Sequence, residues 1–227
     1  MRCAAPARCG PDGYPHMTRR RELLTPGLKV GLLGGSFNPA HEGHLHLTRM
    51  CLRALGLDRV WWLVSPQNPL KPETGMAPFA DRLASAQAMA RDPRICVTDV
   101  ETRLGTRYTA DTLAALRAHH PDVRFVWLMG ADNMIDLPRW RRWRDIAGRV
   151  PIAVYPRPGF TLKARLSPAA AALRPHMLDA SDGALLADAA PPALIFLEGP
   201  ESRHSATEIR DRGGWTAAGT STPSRKL

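Results

Sequence analysis

Six short runs of apolar, β-branched or aromatic residues constrain the fold of this 227-residue chain more than any other feature. Between them, "HLHLTRMCLRALGL", "APFADRLASAQAMARD" and "TADTLAALRAHH" repeat apolar residues at the i, i+3, i+4 spacing of amphipathic helices. Strands that alternate with helices pair in parallel through right-handed crossovers. We therefore predict an α/β fold, a doubly wound, mainly parallel, Rossmann-like sheet of about six strands with flanking helices. The predicted strands are residues 29–33, 59–65, 95–100, 124–129, 150–155 and 193–198.

Two tails flank the predicted domain, which covers residues 28–212. Residues 1–27 contain Pro, Gly and Arg but no apolar segment of signal-peptide length, so we expect a disordered extension in which Met17 is an alternative start. We also expect a disordered tail over residues 213–227. Within the domain, the Ala- and Pro-rich region 161–192 is expected to form one or two helices on the outer face of the sheet.

The loop after the first strand, "GGSFNPAHEGH" at residues 34–44, carries the least ordinary residues of the chain. Gly34 and Gly35 let a ligand approach the backbone closely, and a helix is expected to begin soon after Pro39. The loop amides and the positive end of that helix favour an anion. His41 and His44 are one helical turn apart, so both rings can face the same space and donate to phosphate oxygens.

A zinc site is the competing interpretation of the two histidines. A closed zinc site needs about four ligands, and the nearest candidates, His46 and Cys51, are placed elsewhere on the same helix. We predict no protein-held metal here. In a doubly wound sheet, ligands bind beyond the carboxyl ends of the strands, which places the loops after the first, second and fourth strands together.

A second anion site is predicted at "SATEIR", residues 205–210. Ser205 and Glu208 have the spacing of a capping box, which indicates the start of a helix with outward-facing amides. Arg210 lies within the first turns of that helix and can reach a triphosphate as a planar, permanently charged donor.

Both segments resemble the signatures of the nucleotidyltransferase superfamily, G-G-[ST]-F-D-P-x-H-x-G-H and [ST]-x-x-x-I-R, in the expected order. The resemblance implies that ATP is bound by the first loop and by the second signature, with His41, His44 and Arg210 as catalytic residues. Asn38 replaces the Asp of many members, which puts a direct role of this position in metal binding in doubt. The ATP-binding residues that the resemblance implies in these two segments are Gly34, Gly35, Ser36, Phe37, Asn38, Ser205 and Thr207.

The middle of the chain resembles the nicotinate-nucleotide adenylyltransferase family of bacterial NAD biosynthesis. The resemblance rests on "SPQNPLK" (65–71), "RYTADTL" (107–113), "MGADNMIDLPRWRRW" (129–143) and "YPRPG" (155–159), and it covers about residues 28 to 212. It implies transfer of AMP from ATP to nicotinate mononucleotide, giving deamido-NAD and pyrophosphate. It further implies Lys71 as a catalytic residue, Gly130 and Asp132 in ATP binding, and an acceptor site at Tyr108, Thr109 and Trp140.

The residues of this acceptor site suit an acid. A nicotinate carboxylate only accepts hydrogen bonds, and a helix N-terminus with Thr109 as its expected N-cap presents donors and a positive dipole. Trp140 offers a flat face to the pyridinium ring, whereas Trp143 is expected to be buried. Asp132, expected at the end of the fourth strand, suits a ribose hydroxyl.

The expected reaction needs no general base, because the acceptor phosphate is already ionised and attacks the α-phosphorus of ATP in line. The protein must align the reactants and neutralise the leaving pyrophosphate. Mg²⁺ is expected on the triphosphate, held mainly by phosphate oxygens and water. Two alternatives stay open: an adenylyltransferase for nicotinamide mononucleotide or phosphopantetheine, and an Arg-rich nucleic-acid-binding protein.

Composition bears on partners and location. The net charge is +10, but most of the 31 basic residues are Arg spread along the chain, so we expect no nucleic-acid partner. The run Arg139, Arg141, Arg142 and Arg144 is interpreted as a solvated face, with contact of one member to the acceptor phosphate left open. No stretch reaches the roughly 20 apolar residues of a membrane span. Four Cys without metal or disulfide spacing favour the cytoplasm. The sequence is compatible with a homo-oligomer and does not define the oligomeric state.

Overall fold

The computed structural model describes residues 22–66, 75–201, 206–211 and 215. In this part of the chain, six parallel strands form a single sheet in the order β3-β2-β1-β4-β5-β6. This confirms the predicted doubly wound fold. The strands are β1 (Lys29–Gly35), β2 (Arg59–Val64), β3 (Ile95–Thr98), β4 (Arg124–Gly130), β5 (Ile152–Tyr155) and β6 (Leu194–Phe196).

The strand order reverses between β1 and β4. The chain first builds β1, β2 and β3 towards one edge, then crosses back to place β4 on the free side of β1, with Leu32 beside Trp127. Ligands bind at such a reversal, beyond the carboxyl ends of the strands. The prediction that the loops after these strands meet is confirmed by the cavity described below.

Helices cover both faces of the sheet. They are α1 (Glu42–Ala54), α2 (Phe79–Met89), α3 (Val100–Leu104), α4 (Thr109–His119), α5 (Ala131–Asp136), α6 (Trp143–Arg149), α7 (Thr161–Arg165), α8 (Pro168–Leu173) and α9 (Ala206–Asp211). The predicted third strand ends two residues earlier than expected, because Val100 already begins α3. Region 161–192 contains two short α-helices, as predicted, and in addition two 3-10 helices, Arg174–His176 and Ala180–Asp188. The second of these reaches the core through Leu186.

Alternate residues of the strands enter two separate cores, one on each face. Trp61 and Trp127 belong to one core, and Trp62 and Leu128 belong to the other. Each fully buried side chain of this size contributes about 1.5–3 kcal/mol of transfer free energy. Burial on both faces explains why the strands read as continuous apolar runs in the sequence. The Trp62 indole is also satisfied, since its Nε1 donates to Thr48 Oγ1 at 2.8 Å.

The domain extends beyond the predicted boundary at residue 28. Glu22, expected in the disordered extension, is buried and its carboxylate lies 2.7 Å from Arg103 Nη2. Arg59 Nη1 donates to the carbonyl of Leu23 at 2.8 Å. Residues 22–27 therefore pack on the domain through contacts that depend on the folded chain. In the described ranges, no helix combines the length and apolar character of a membrane span.

Candidate active site

A cavity of about 700 Å³ opens at the carboxyl ends of β1 and β4, a size typical of small-molecule sites. Its walls come from the first loop, the N-terminus of α4, the start of α5 and the helix α9. Of the sixteen predicted site residues, Lys71 and Ser205 lie outside the described residues. The others all line this cavity: Gly34, Gly35, Ser36, Phe37, Asn38, His41, His44, Tyr108, Thr109, Gly130, Asp132, Trp140, Thr207 and Arg210.

The two imidazoles are held by the start of α1. His41 is the N-cap, with extended backbone, and its Nδ1 accepts from the Gly43 amide at 3.1 Å. His44 Nδ1 accepts from the His41 amide at 3.2 Å, and the two ring centroids are 3.9 Å apart. Because each Nδ1 is an acceptor in this reciprocal cap, each neutral ring carries its proton on Nε2. Both histidines are thereby set as Nε2–H donors.

Close packing beneath the loop explains two of its residues. A Cβ on Gly34 would lie 2.5 Å from Trp127 Cη2, so only glycine lets this indole reach the cavity floor. The Phe37 backbone is left-handed, with φ of 47°, and its ring is 2% exposed, stacked on Trp62 at a centroid distance of 5.2 Å. Phe37 therefore supports the loop from the core at the wall of the cavity.

Asn38 connects three parts of the site. Its Nδ2 donates to the Gly75 carbonyl at 2.9 Å, and its Oδ1 accepts from the Ala77 amide at 3.1 Å and from Trp215 Nε1 at 2.9 Å. Its backbone carbonyl accepts from Arg210 Nη1 at 2.7 Å. Donor and acceptor atoms are used at once, which an amide allows and a carboxylate does not. Trp215 belongs to the segment expected to be a disordered tail, so the site reaches past residue 212.

The second signature lies against the first loop and lines the same cavity. Helix α9 begins at Ala206, directly after the predicted cap position, and Arg210 Nη2 donates to Thr207 Oγ1 at 3.2 Å. This contact and the one to Asn38 fix the guanidinium plane at the cavity wall. A planar donor held in this way matches a phosphate better than a flexible ammonium does.

The acceptor end of the cavity is formed by α4 and by the segment after α5. The expected N-cap, Thr109, is wrong by one residue: Tyr108 has the extended backbone of an N-cap, and its carbonyl accepts from the Asp111 amide at 2.9 Å. Trp140 is half-buried and lies edge-on to Trp127, with centroids 6.2 Å apart. Trp143 is buried in the core, as predicted.

Asp132 is placed differently from the prediction. Gly130 ends β4 with extended backbone and caps α5, so Asp132 lies in the first helical turn and not at the strand end. A carboxylate in a first turn is favoured by the helix dipole. Asp132 Oδ1 lies 3.4 Å from Arg157 Nε, which is close enough for an ion pair. Arg157, in "YPRPG", lines the cavity as well.

Several residues in or near the cavity were not predicted as site residues, among them Glu101, Arg141 and Arg82. Burial raises the pKa of the Glu101 carboxyl to about 7, although hydrogen bonds from Thr112 and Ser65 lower it. The Arg141 guanidinium lies 4.5 Å from the centroid of the Tyr108 ring. Arg82 is buried on the apolar face of α2 beside Ala86, and a charge at such a position was the one sequence signal available.

The prediction of a solvated face is correct only in part, because Arg139 and Arg141 also line the cavity. Arg142 contacts Asp111 at 2.9 Å and Asp145 at 2.6 Å, and Arg139 lies 3.5 Å from Asp136. These pairs reduce the charge that this surface offers to a nucleic acid. Arg144 instead lies over the Trp143 ring, at 4.6 Å from its centroid.

Metal ligands do not cluster in the described parts of the chain, where no group of three His, Cys, Asp or Glu side chains could hold an ion. His46 Nε2 contacts Tyr155 Oη at 2.9 Å and the Pro200 carbonyl at 2.8 Å. Burial raises the pKa of the Cys51 thiol to about 12, which disfavours the thiolate that zinc requires. Neither residue is available to complete a site with His41 and His44.

Comparisons with known proteins identify the family of this chain. Residues 32–212 match the cytidylyltransferase-like family. A protein of Parvibaculum lavamentivorans described as a probable nicotinate-nucleotide adenylyltransferase is 78% identical over 197 residues, which cover 87% of this chain and 98% of that protein. A protein of Ruegeria pomeroyi with the same description is 54% identical over 91% of this chain and 93% of its own length.

Solved structures of the nicotinic acid mononucleotide adenylyltransferase of Plasmodium falciparum, complexed with NaAD and with APC, superpose with TM-scores of 0.61 and 0.59. Each covers 81% of this chain and 83% of that chain at 16% identity, so this likeness shows the fold. The family match and the curated relatives cover nearly the whole domain. This chain belongs to the nicotinate-nucleotide adenylyltransferases of the cytidylyltransferase-like family.

Proposed function

We propose that this protein transfers AMP from ATP to nicotinate mononucleotide, giving deamido-NAD and pyrophosphate in NAD biosynthesis. One observation supports it above all: a single cavity has the His41–His44 cap of α1 on one wall and the N-terminus of α4 with Trp140 on another. Two donor-rich helix ends around one space suit a reaction that joins two anionic nucleotides.

Adenylyl transfer requires alignment more than acid–base chemistry. A phosphate monoester has a second pKa of about 6, so the acceptor is dianionic at neutral pH and attacks the α-phosphorus directly. A phosphorus–oxygen bond forms to the acceptor, and the bond between the α-phosphorus and the bridging oxygen of the leaving pyrophosphate breaks. The Nε2–H groups of His41 and His44 and the Arg210 guanidinium are the donors proposed to neutralise the charge that develops.

The acceptor end provides donors rather than acceptors. Backbone amides at Thr109 and the following residues are left unpaired within the helix, as at every helix N-terminus. A nicotinate carboxylate accepts from such amides, whereas the amide group of nicotinamide also needs an acceptor for its NH₂. Trp140, half-buried and braced by Trp127, is proposed to stack on the pyridinium ring.

Magnesium is proposed to enter with ATP. The cavity carboxylates suit no resident ion, because Asp132 is paired with Arg157 and Glu101 is buried with a raised pKa. When bound to the triphosphate, Mg²⁺ supplies charge neutralisation on the phosphate oxygens. We expect activity to rise with total Mg²⁺ until the Mg²⁺ concentration equals the ATP concentration. We also expect the purified protein to carry no tightly bound metal ion.

The decisive experiment compares acceptors. Pyrophosphate release from Mg·ATP is measured with nicotinate mononucleotide, nicotinamide mononucleotide and phosphopantetheine in parallel. We expect kcat/KM to be highest for nicotinate mononucleotide. A preference for another acceptor would contradict the proposed substrate, and salt-sensitive binding to DNA or RNA without turnover would favour the nucleic-acid alternative.

Location and assembly form the last part of the proposal. The buried, unbridged thiols of Cys51 and Cys96 are consistent with a reducing cytoplasm, where we propose that the enzyme works. Light scattering of the purified chain tests whether it forms the homo-oligomer with which the sequence is compatible.

A further inference from the structure

Arg82 is an arginine in the core. Its side chain is 1% exposed, and in the described ranges no carboxylate lies within ion-pair distance of its guanidinium. The guanidinium lies 5.4 Å from the centroid of the Phe79 ring. Burial lowers the pKa of Arg82, yet a guanidinium stays charged in proteins. A buried charge without a counter-ion is costly, so a well-formed set of partners must hold it.

Those partners are four backbone contacts on three separate segments. Arg82 Nη1 donates to the Ser36 carbonyl at 2.6 Å and to the Ser65 carbonyl at 2.7 Å. Nη2 donates to the Pro66 carbonyl at 2.8 Å, and Nε donates to the Ala77 carbonyl at 3.0 Å. All the acceptors are carbonyl oxygens, whose partial charges satisfy the guanidinium without cancelling its full positive charge.

The three segments meet at the wall of the cavity. Ser36 follows β1 in the first loop, and Ser65 follows β2; both line the cavity. The Ser65 amide also donates to the Gly35 carbonyl at 2.9 Å, and Asn38 bonds to both Gly75 and Ala77. One guanidinium thus fixes the first loop relative to the end of the neighbouring strand and to the start of α2.

We propose that Arg82 is a positioning residue for adenylyl transfer: its four-carbonyl contact holds the loop of Ser36 and Asn38 in register with the end of β2, and its charge adds to the positive potential beneath that loop. This inference rests on the proposed function of the site. Arg82 touches no substrate; it acts through the backbone that carries His41 and Asn38. A planar fork with three donating nitrogens is needed, and lysine cannot reproduce it.

The test compares three substitutions at Arg82 with a matched control. Arg82→Lys keeps the charge and removes the fork, Arg82→Met removes both, and Arg82→Ala leaves room for a small cation. Arg94→Lys is the control, because among the described residues the Arg94 side chain pairs with Asp92 at the surface. We expect Arg82→Lys to raise the KM for ATP and to lower kcat by about 10²-fold, because a misplacement of roughly 1 Å has an effect of this size on the rate. The KM for the acceptor should change less.

Chemical rescue separates positioning from simple stabilisation. Millimolar guanidinium should restore turnover to Arg82→Ala, whereas urea, planar but uncharged, should not. Equal rescue by urea would overturn the role of the charge. If Arg82→Met and Arg82→Ala do not fold, Arg82→Lys decides: a folded Arg82→Lys protein with kcat and both KM values equal to those of Arg94→Lys would overturn the proposal.

Failure of the proposed function would look different. In that case the parent protein would not transfer AMP to nicotinate mononucleotide, whatever residue stands at position 82. Calorimetric binding of Mg·ATP alone needs no acceptor, so it reports on Arg82 independently. Weaker Mg·ATP binding by Arg82→Lys than by Arg94→Lys supports the inference even with another acceptor, and equal binding contradicts it.

Discussion

Arg210 donates a 2.7 Å hydrogen bond to the backbone carbonyl of Asn38, across 172 positions of the chain. This contact joins the two signature segments directly, so the position of the guanidinium depends on the turn and the turn on the guanidinium. The two halves of the proposed ATP site therefore form one unit, and substitutions in either are expected to be non-additive.

Replacement of Arg210 tests this unit. We expect Arg210→Ala to lower kcat/KM for ATP by about 10²–10³-fold, as for the loss of one preorganised donor. Arg210→Lys should recover only part, because an ammonium cannot bond Asn38 and Thr207 while facing a phosphate. Steady-state kinetics with varied ATP measure the effect, and Arg117→Ala, on the exposed side of α4, is the control. Parent-like kinetics of Arg210→Ala would remove Arg210 from the mechanism.

His44 has two functions that two variants separate. His44→Asn keeps a side-chain acceptor for the His41 amide and removes the Nε2–H donor, whereas His44→Ala removes both. Both variants should stay folded and lose most turnover, by about 10²–10³-fold. Thermal unfolding should show the larger loss of stability for His44→Ala. Normal turnover by folded His44→Asn would show that the Nε2–H group is not needed.

Trp140 is expected to act on one substrate only. Trp140→Ala removes the face proposed for the pyridinium, an interaction of about 0.5–2 kcal/mol, so the acceptor KM should rise while the ATP KM stays constant. Trp140→Phe keeps an aromatic face and should show the smaller effect. A rise of both KM values in parallel would indicate a general disturbance through Trp127, and it would contradict acceptor stacking.

We expect the side-chain amide of Asn38 to stabilise this chain in a way that the family's Asp does not. Asn38→Asp replaces the Nδ2 donor with an acceptor oxygen facing the Gly75 carbonyl, so the free energy of unfolding should fall by about 1–3 kcal/mol. Trp215→Phe, which removes one donor to Oδ1, provides the comparison and should be milder. Urea unfolding at neutral pH measures both. Equal stability of Asn38→Asp and the parent would show that Nδ2 is dispensable.

Glu101 makes stability depend on pH. Its pKa is raised by burial from the ordinary 4.5 to about 7, so the folded chain binds the extra proton. The stabilisation that this proton gives the folded chain is complete below about pH 4.5. It is lost as the pH rises towards 7, where the free energy of unfolding has fallen by on the order of 3 kcal/mol. Glu101→Gln keeps the neutral shape, so its stability relative to the parent should rise between pH 5 and pH 8. A constant difference across this range would contradict the raised pKa.

The sequence was most informative where burial alone determines structure. The runs that became β1 and β4 are apolar because both faces of the sheet are covered, and that pattern is local. The loop after β1 was also predictable, since a strand, a glycine pair and a helix start lie within a few residues. Asp132 was misplaced by two residues because the backbone of Gly130 caps α5, and helix ends depend on such details.

Residues whose partners are distant in the chain could not be predicted. The position of Arg82 on the apolar face of α2 marks it as unusual, but its partners Ser36 and Ser65 are brought beside it only by the parallel pairing of β1 and β2. Glu22 is similar, since only the folded position of Arg103 gives it a partner. In both cases the determining contacts are between segments, and a single sequence does not encode them in any local pattern.

The cap of α1 requires that Nδ1 of both His41 and His44 accepts a hydrogen bond. An imidazolium has no acceptor nitrogen, so a doubly protonated His41 could not receive the Gly43 amide, and a doubly protonated His44 could not receive the amide of His41. Extra positive charge on these rings would draw a phosphate closer but would also undo the first turn that aims them. The reciprocal cap at the start of α1 thus uses Nδ1 of both rings and leaves Nε2 of each as the nitrogen that can donate.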